Sequence, residues 1–333
     1  MAMLPRLVRD RSRQALKATL RCVPDRAFAP LRASFAATGP TTVTHRGQEL
    51  LLNAARYRGV PAELDSFVLT DNPEVRIANA DSFIVEWLYW FGERYGYEPA
   101  VIKWWKVFCA SSSHIVEFGA NIGYFIVQGA PMGTGARYVA VEPHPGCAAL
   151  CRRNVQLNGI TNVEVVEAAA VAQQSSPTVE LMLPGGRDHY DEAPCTGFVG
   201  VSEVRGAGQD RSGYAAVTVP AVPITSLIDG DTDLVKMDVE GQEHVLLSAV
   251  LDRLKESRPT LFLELLDNTP LLRALILTEL LPAGYHCFVP TMDELVPLSG
   301  AAIAAVSLTA EHGTRDIILS PTPVAEILAQ LPT

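Results

Sequence analysis

The sequence predicts an α/β protein built on a mostly parallel sheet with helices on both faces. Three observations carry that prediction. From residue 115 onward, short apolar runs rich in β-branched residues alternate with amphipathic stretches of helical period. Several of the runs end on a carboxylate or a glycine turn, as at Glu117-Phe118-Gly119 and Asp238-Val239-Glu240-Gly241. Hydrophobic residues make up 48% of the 333 and charged residues 19%, which suits a globular chain with a substantial core.

Residues 1–79 read as a basic helical extension followed by short strands, with 75–79 the clearest strand. The first 40 residues hold Arg6, Arg9, Arg11, Arg13, Lys17, Arg21, Arg26 and Arg32 against Asp10 and Asp25. That local +6 leaves −16 for the rest of a chain whose net charge is −10. Leu4, Val8, Leu16 and Leu20 share a helical face, so a basic amphipathic helix is predicted. Docking on its own domain or on a second subunit of a homodimer, disorder, and contact with a membrane surface or anionic partner all remain readings of it. The acidic remainder argues against nucleic acid as a partner. No run of about 18 uncharged apolar residues occurs, so no membrane-spanning helix is expected. The first residues lack the apolar core of a secretory signal, which makes the cytoplasm the expected location. The six cysteines show no zinc-type spacing.

Residues 80–333 read as the main domain. Phe83, Ile84, Trp87, Leu88, Trp90 and Phe91 recur at helical spacing, and Pro99 restarts a helix through Val101, Ile102, Trp105 and Phe108. This 80–110 cover is expected to pack on the sheet that follows. Strands are predicted at 115–118, 138–142, 163–167, 234–238 and 260–264, with helices at about 122–130, 145–157, 241–254 and 270–281, forming a 115–290 core. Residues 184–214, with seven glycines, read as a loop or lid inserted between sheet elements. The C-terminal part, 285–333, is predicted to add strands at 285–290, 303–308 and 315–319.

Two segments carry chemistry. The first runs Val116-Glu117-Phe118-Gly119-Ala120-Asn121-Ile122-Gly123-Tyr124-Phe125, followed about twenty residues later by a strand ending in Glu142-Pro143. A strand, a glycine turn, a helix and a second strand ending in a carboxylate form half of a nucleotide-binding unit. No third glycine completes the dinucleotide pattern, and no phosphate loop occurs anywhere. A short turn with an acidic residue two positions ahead of it suits S-adenosylmethionine, with its cationic methionine end. A nicotinamide cofactor and a ligand-free structural turn are the competing readings. The second segment is Asp233-Leu-Val-Lys236-Met-Asp238-Val-Glu240-Gly241-Gln-Glu243-His244, in which an apolar strand delivers Asp238 to its carboxyl end. Glu243 reads as a helix-terminus residue, Asp238 as functional.

Together with Val141-Glu142-Pro143-His144-Pro145, these motifs closely resemble the FkbM-type family of S-adenosylmethionine-dependent methyltransferases over about residues 80–290. The resemblance implies a seven-stranded class I methyltransferase (Rossmann-like) sheet. It implies that Glu117, Phe118, Gly119, Ala120, Asn121 and Gly123 line the methionine and ribose portions, and that Glu142 takes the ribose hydroxyls beside Pro143. Glu167 and Ala168 would border the adenine. The acceptor it suggests is a small molecule or glycan, methylated on a hydroxyl of a sugar, glycolipid or secondary metabolite. N-methylation, a nicotinamide-dependent oxidoreductase and a cofactor-binding subunit without catalysis are the alternatives. A hydroxyl acceptor must lose its proton, so Asp238 is the first candidate base, then Glu240, with Glu264 on the next strand. Asp238 and Glu264 also offer oxygens to a divalent cation, although two oxygens do not by themselves make a metal site. His144, His189 and His244 are the remaining candidate bases.

Overall fold

The computed structural model describes residues 23–38, 59–133, 135–184, 198–199, 214–305, 308 and 312–329. The chain divides into two compact units, 1–99 and 100–333. The basic stretch 1–22 lies outside the described residues.

In the first unit, strand β1 (Ser66–Val68) pairs antiparallel with β2 (Arg76–Ala78), so the strand expected at 75–79 is present. The helices Ala29–Thr38 and Phe83–Phe91 meet through their aromatic faces. Phe28 stands edge-on to Trp90 at 5.7 Å, and Phe35 lies 5.2 Å from Phe91. Arg32 pairs with Asp25 at 2.6 Å, and Tyr89 hydrogen-bonds both. The 83–91 helix stops at Gly92, whose φ of +68° suits glycine.

The second unit carries β3 (His114–Phe118), β4 (Arg137–Val141), β5 (Val163–Val166), β6 (Ala169–Val171), β7 (Thr178–Pro184), β8 (Phe198–Val199), β9 (Tyr214–Pro223), β10 (Leu234–Met237), β11 (Thr260–Glu264), β12 (His286–Pro290), β13 (Leu295–Pro297) and β14 (Asp316–Ser320). The main sheet has the order β13-β12-β14-β11-β10-β3-β4-β5. β5, β4, β3, β10 and β11 run parallel, β14 is antiparallel to both β11 and β12, and β13 folds back on β12. The expected seven-stranded, mostly parallel sheet is therefore present, with β13 as an eighth strand. Strand order reverses between β3 and β10, and open α/β sheets place ligands at the carboxyl ends beside such a switch point.

Alternating side chains serve the two faces. Val116, Phe118, Val139, Val141, Val235, Met237, Leu261 and Leu263 join one core with Leu246, Leu247, Leu254, Leu272 and Ile276 from the later helices. On the opposite face the helix Pro99–Ala110 presents Trp105 edge-on to Phe262 at 5.1 Å and Phe108 edge-on to Phe262 at 5.5 Å, as the aromatic stripe predicts.

Three expectations need correction. Residues 303–308 were expected to be a strand, but Gly300–Ala305 is helical. Its alanine-rich run favours helix, and Ser299 Oγ accepts the Ala302 N–H at 3.2 Å. The helix expected at 241–254 is two helices, Glu243–Ala249 and Leu251–Ser257, broken at Val250. The insertion at 184–214 is flanked by unforeseen strands. β7 and β9 pair from Thr178↔Pro220 to Pro184↔Tyr214 and belong to a second sheet of order β6-β9-β7-β8. Between them only 198–199 is described.

Candidate functional site

The turn after β3 is shaped by close approach. Gly119 has φ +78°, and a Cβ there would stand 1.9 Å from the Asp238 carbonyl oxygen. The Gly119 and Ala120 N–H groups both donate to Val141 O, which fastens the turn to β4. Asn121 adopts φ +50°, a left-handed position that asparagine tolerates better than most residues. Gly123, φ +79°, leaves room for Cys151, which a Cβ would approach to 3.0 Å. Asn154 Nδ2 donates to Ile122 O at 2.7 Å, tying the helix Pro145–Leu157 to the same turn. Ile122 and Gly123 are buried, whereas Gly119 and Asn121 are partly open.

Glu142 stands beside the turn, 6% exposed. Its two oxygens accept the N–H groups of Asn121 and His144, each at 2.8 Å. Burial pushes its carboxyl up to about 7 against the pull of those two bonds. Each oxygen keeps a second lone pair, and Asn121 Oδ1 has no hydrogen-bond partner among the described residues. The arrangement therefore fits a ligand with a hydroxyl pair. His144 caps the following helix, with Nδ1 accepting the Cys147 N–H at 3.2 Å, which is a loop-shaping role. At the end of β5, Glu167 is ion-paired with Arg152 at 2.6 Å and Ala168 is buried; Pro143 is half-buried beside Glu142.

Glu117 does not line the turn's rim. It is 1% exposed, and its Oε2 accepts the Tyr138 hydroxyl at 2.5 Å. It is also in register with Lys236 on β10. Burial raises its carboxyl to about 7, while Lys236 and Tyr138 pull it down.

The second motif forms the other wall. The Asp238 N–H donates to Phe118 O at 3.1 Å, and its side chain is 24% exposed, with Oδ2 3.4 Å from Lys236 Nζ. Glu240 (φ +56°) and Gly241 (φ +93°) make the turn into the next helix. Glu243 Oε1 accepts the N–H groups of Val239 and Gly241 at 3.0 and 3.2 Å, so it clamps this turn as its helix-terminus reading anticipates. Glu264 pairs with Arg315 at 3.1 Å, and its other oxygen is buried without a hydrogen-bond partner among the described residues. Burial, and then Asp238, push its carboxyl well above the usual range while Arg315 pulls it down, a balance that favours the neutral form and makes Glu264 a weaker candidate base or cation ligand than Asp238. No group of three or more His, Cys, Asp or Glu among the described residues is placed to hold a metal ion. His244 is half-buried on the helix Glu243–Ala249, and His189 lies outside the described residues.

Sequence reasoning passed over Lys236, Tyr138, Arg315 and Asp316. Lys236 had a signal, since it is the one charge in the run Leu-Val-Lys-Met and lies two residues before Asp238, on the same face of the strand.

Three buried carboxyls, Glu117, Glu142 and Glu243, are each raised from 4.5 to about 7, chiefly by burial. A raised carboxyl favours the fold below its unfolded value, and that contribution is lost as pH rises through the folded one. Thermal unfolding should therefore show a midpoint that falls by roughly 5 °C or more between pH 5 and pH 8. A midpoint that rose across that interval would contradict this burial.

A family model described as the methyltransferase FkbM domain matches residues 117–286. No curated protein matches the chain. Among solved structures, methyltransferase FkbM from Methylobacillus flagellatus KT is 20% identical, with 52% of this chain and 36% of that chain covered, at a TM-score of 0.31. This chain therefore spans about a third of that protein. Precorrin-6y C5,15-methyltransferase from Geobacter metallireducens GS-15 is 14% identical, with 67% and 85% covered and a TM-score of 0.34. TYW2 from M. jannaschii, solved in complex with AdoMet, is 14% identical, with 67% and 75% covered and a TM-score of 0.32.

Proposed function

Because this chain belongs to the FkbM methyltransferase family, we propose that it transfers a methyl group from S-adenosylmethionine to a hydroxyl of a small-molecule or glycan acceptor. One observation carries the reading. The turn beside Glu142 and the candidate base Asp238 are in van der Waals contact through Gly119, so a cofactor seated on the turn and an acceptor beside Asp238 would adjoin.

Gly119, Ala120, Asn121 and Gly123 would hold the methionine and ribose portions, with Phe118 beneath them and Glu142 accepting the ribose hydroxyls. Glu167 and Ala168 would border the adenine. When bound, S-adenosylmethionine supplies an electrophilic methyl carbon on a sulfonium that departs as a thioether with the electron pair of the broken bond. The chain's own residues align the acceptor, exclude water and take its proton. Asp238 is suited to receive that proton, since its carboxylate is partly exposed and lies beside the turn. Glu240, half-buried on the adjoining turn, would contribute orientation. Cofactor binding is tested by titration calorimetry against S-adenosylhomocysteine and NAD. Transfer is tested by S-adenosylhomocysteine release with panels of methyl glycosides, aryl alcohols and amines. Binding of NAD alone would overturn the cofactor reading, and transfer only to amines would overturn the hydroxyl reading.

A sharper test falls on Glu142. The ionised carboxylate accepts from a diol better than the neutral acid, so cofactor affinity should strengthen as pH rises from 6 to 8, through the value near 7. Glu142→Gln should weaken S-adenosylhomocysteine about 10- to 100-fold at pH 8 and abolish that pH dependence. An unchanged Kd would remove Glu142 from the site.

A further inference from the structure

We propose that Lys236 is a positioning residue, holding the Asp238 carboxylate in the orientation that accepts the acceptor's proton; this rests on the methyl-transfer reading above. The sequence has five lysines (17, 103, 106, 236 and 255) against twenty-two arginines, and among the described residues only Lys236 lies in a strand of the main sheet. It interrupts an apolar run in β10, is 3% exposed, and stands in register between Glu117 on β3 and Phe262 on β11. Its Nζ lies 3.4 Å from Asp238 Oδ2 and 4.3 Å from the centroid of the Phe125 ring. The ring supplies a cation–π face beneath the ammonium.

A buried charge is a poor choice for stability, because an apolar residue in its place is often neutral or stabilising. Leu234, on the same face of β10 two residues before Lys236, is apolar and fully buried, so this face accepts an apolar side chain. Neutralising Glu117 does not explain it either. Glu117 already has the Tyr138 hydroxyl, and burial has raised it to about 7, so it can lie neutral. Asp316 is the third carboxyl that feels Lys236; it takes the Thr314 hydroxyl at 3.2 Å, and burial raises it too. Asp238, with its side chain 24% exposed, is the most open member of this set. With Oδ2 held by the ammonium, Oδ1 would be the oxygen left to take the acceptor's proton. A compact ammonium suits the task better than a guanidinium fork, because it can sit among three carboxyls as a point charge.

The test uses the full chain and the wild type's best acceptor from the glycoside panel. Lys236→Met and Lys236→Gln should each lower kcat roughly 30-fold or more, with KM and the S-adenosylhomocysteine Kd within about threefold of wild type. Lys236→Arg should recover much of the loss by restoring charge. The double variant Lys236→Met/Asp238→Asn should be no slower than Asp238→Asn alone to within about threefold, because one group acts through the other. A kcat close to wild type in Lys236→Gln, or losses that multiply in the double variant, would overturn the assignment. If both neutral variants failed to fold, the charge would be structural and the assignment would also fall. An acceptor-free arm uses ¹⁵N-lysine-labelled protein, in which Asp238→Asn should shift the Lys236 ammonium signal, assigned through Lys236→Gln. An unmoved signal refutes the contact. Wild type that binds S-adenosylhomocysteine but methylates nothing would remove the underlying reading instead, leaving the labelled-lysine result to stand by itself.

Discussion

Gly119→Ala is expected to destabilise the protein by about 3 kcal/mol or more and to abolish cofactor binding. Two effects add at this position. A φ of +78° strains any L side chain by about 1–2 kcal/mol. The new Cβ would also stand 1.9 Å from the Asp238 carbonyl oxygen, which is backbone at the end of a central strand and cannot swing aside. Gly159→Ala separates the two effects. Gly159 has φ +64° with nothing within 4 Å of a built Cβ, so its substitution should show the conformational penalty alone, about 1 kcal/mol. For a unit of this size the difference amounts to roughly 5 °C or more in Tm, measurable by calorimetry. Equal midpoints for the two variants would mean that β3 and β10 do not approach as closely as the structure has them. The loss of binding would follow from geometry, because β3 and β10 would separate where the turn begins.

How much of this was legible in the sequence follows from the range of the interactions. Parallel strands buried on both faces write themselves as apolar β-branched runs, and the five central strands lie where those runs stand. The turn at 119–123 was legible because left-handed backbone restricts residue choice. Gly119, Asn121 and Gly123 all have positive φ. The role of Glu117 was not legible, since its neighbours depend on register. Lys236 and Glu117 are about 120 residues apart in sequence and meet only because β3 lies beside β10. The same limit hid β7 and β9, which pair across a glycine-rich stretch. Thr178-Val-Glu-Leu alternates polar and apolar, but the seven glycines of 184–214 between the strands carry turn chemistry, which reads as a loop. Residues 303–308 illustrate a different failure. A short apolar run has no clear period, and alanine content was the better guide there.

Replacing Asp238 with asparagine should lower kcat by about 10²–10⁴ while leaving the S-adenosylhomocysteine Kd within about threefold. The substitution is nearly isosteric, and the backbone bond from Asp238 N to Phe118 O is retained, so the turn packed on it should survive. What is lost is the acceptor for a proton, which a carboxamide cannot provide. Glu264 offers the contrast. Burial and the nearby Asp238 favour its neutral form, whose shape and hydrogen-bonding capacity glutamine reproduces. Glu264→Gln should therefore cost less than about tenfold in kcat at pH 7. Asp238 directly follows β10 and Glu264 ends β11, its parallel neighbour, so the two carboxyls lie close together, one partly exposed and the other buried. Steady-state kinetics on both variants, with binding measured separately, would decide the matter. If Glu264→Gln lost as much turnover as Asp238→Asn, the base would have to be assigned to Glu264 and its burial in the free protein would have to be relieved when acceptor binds.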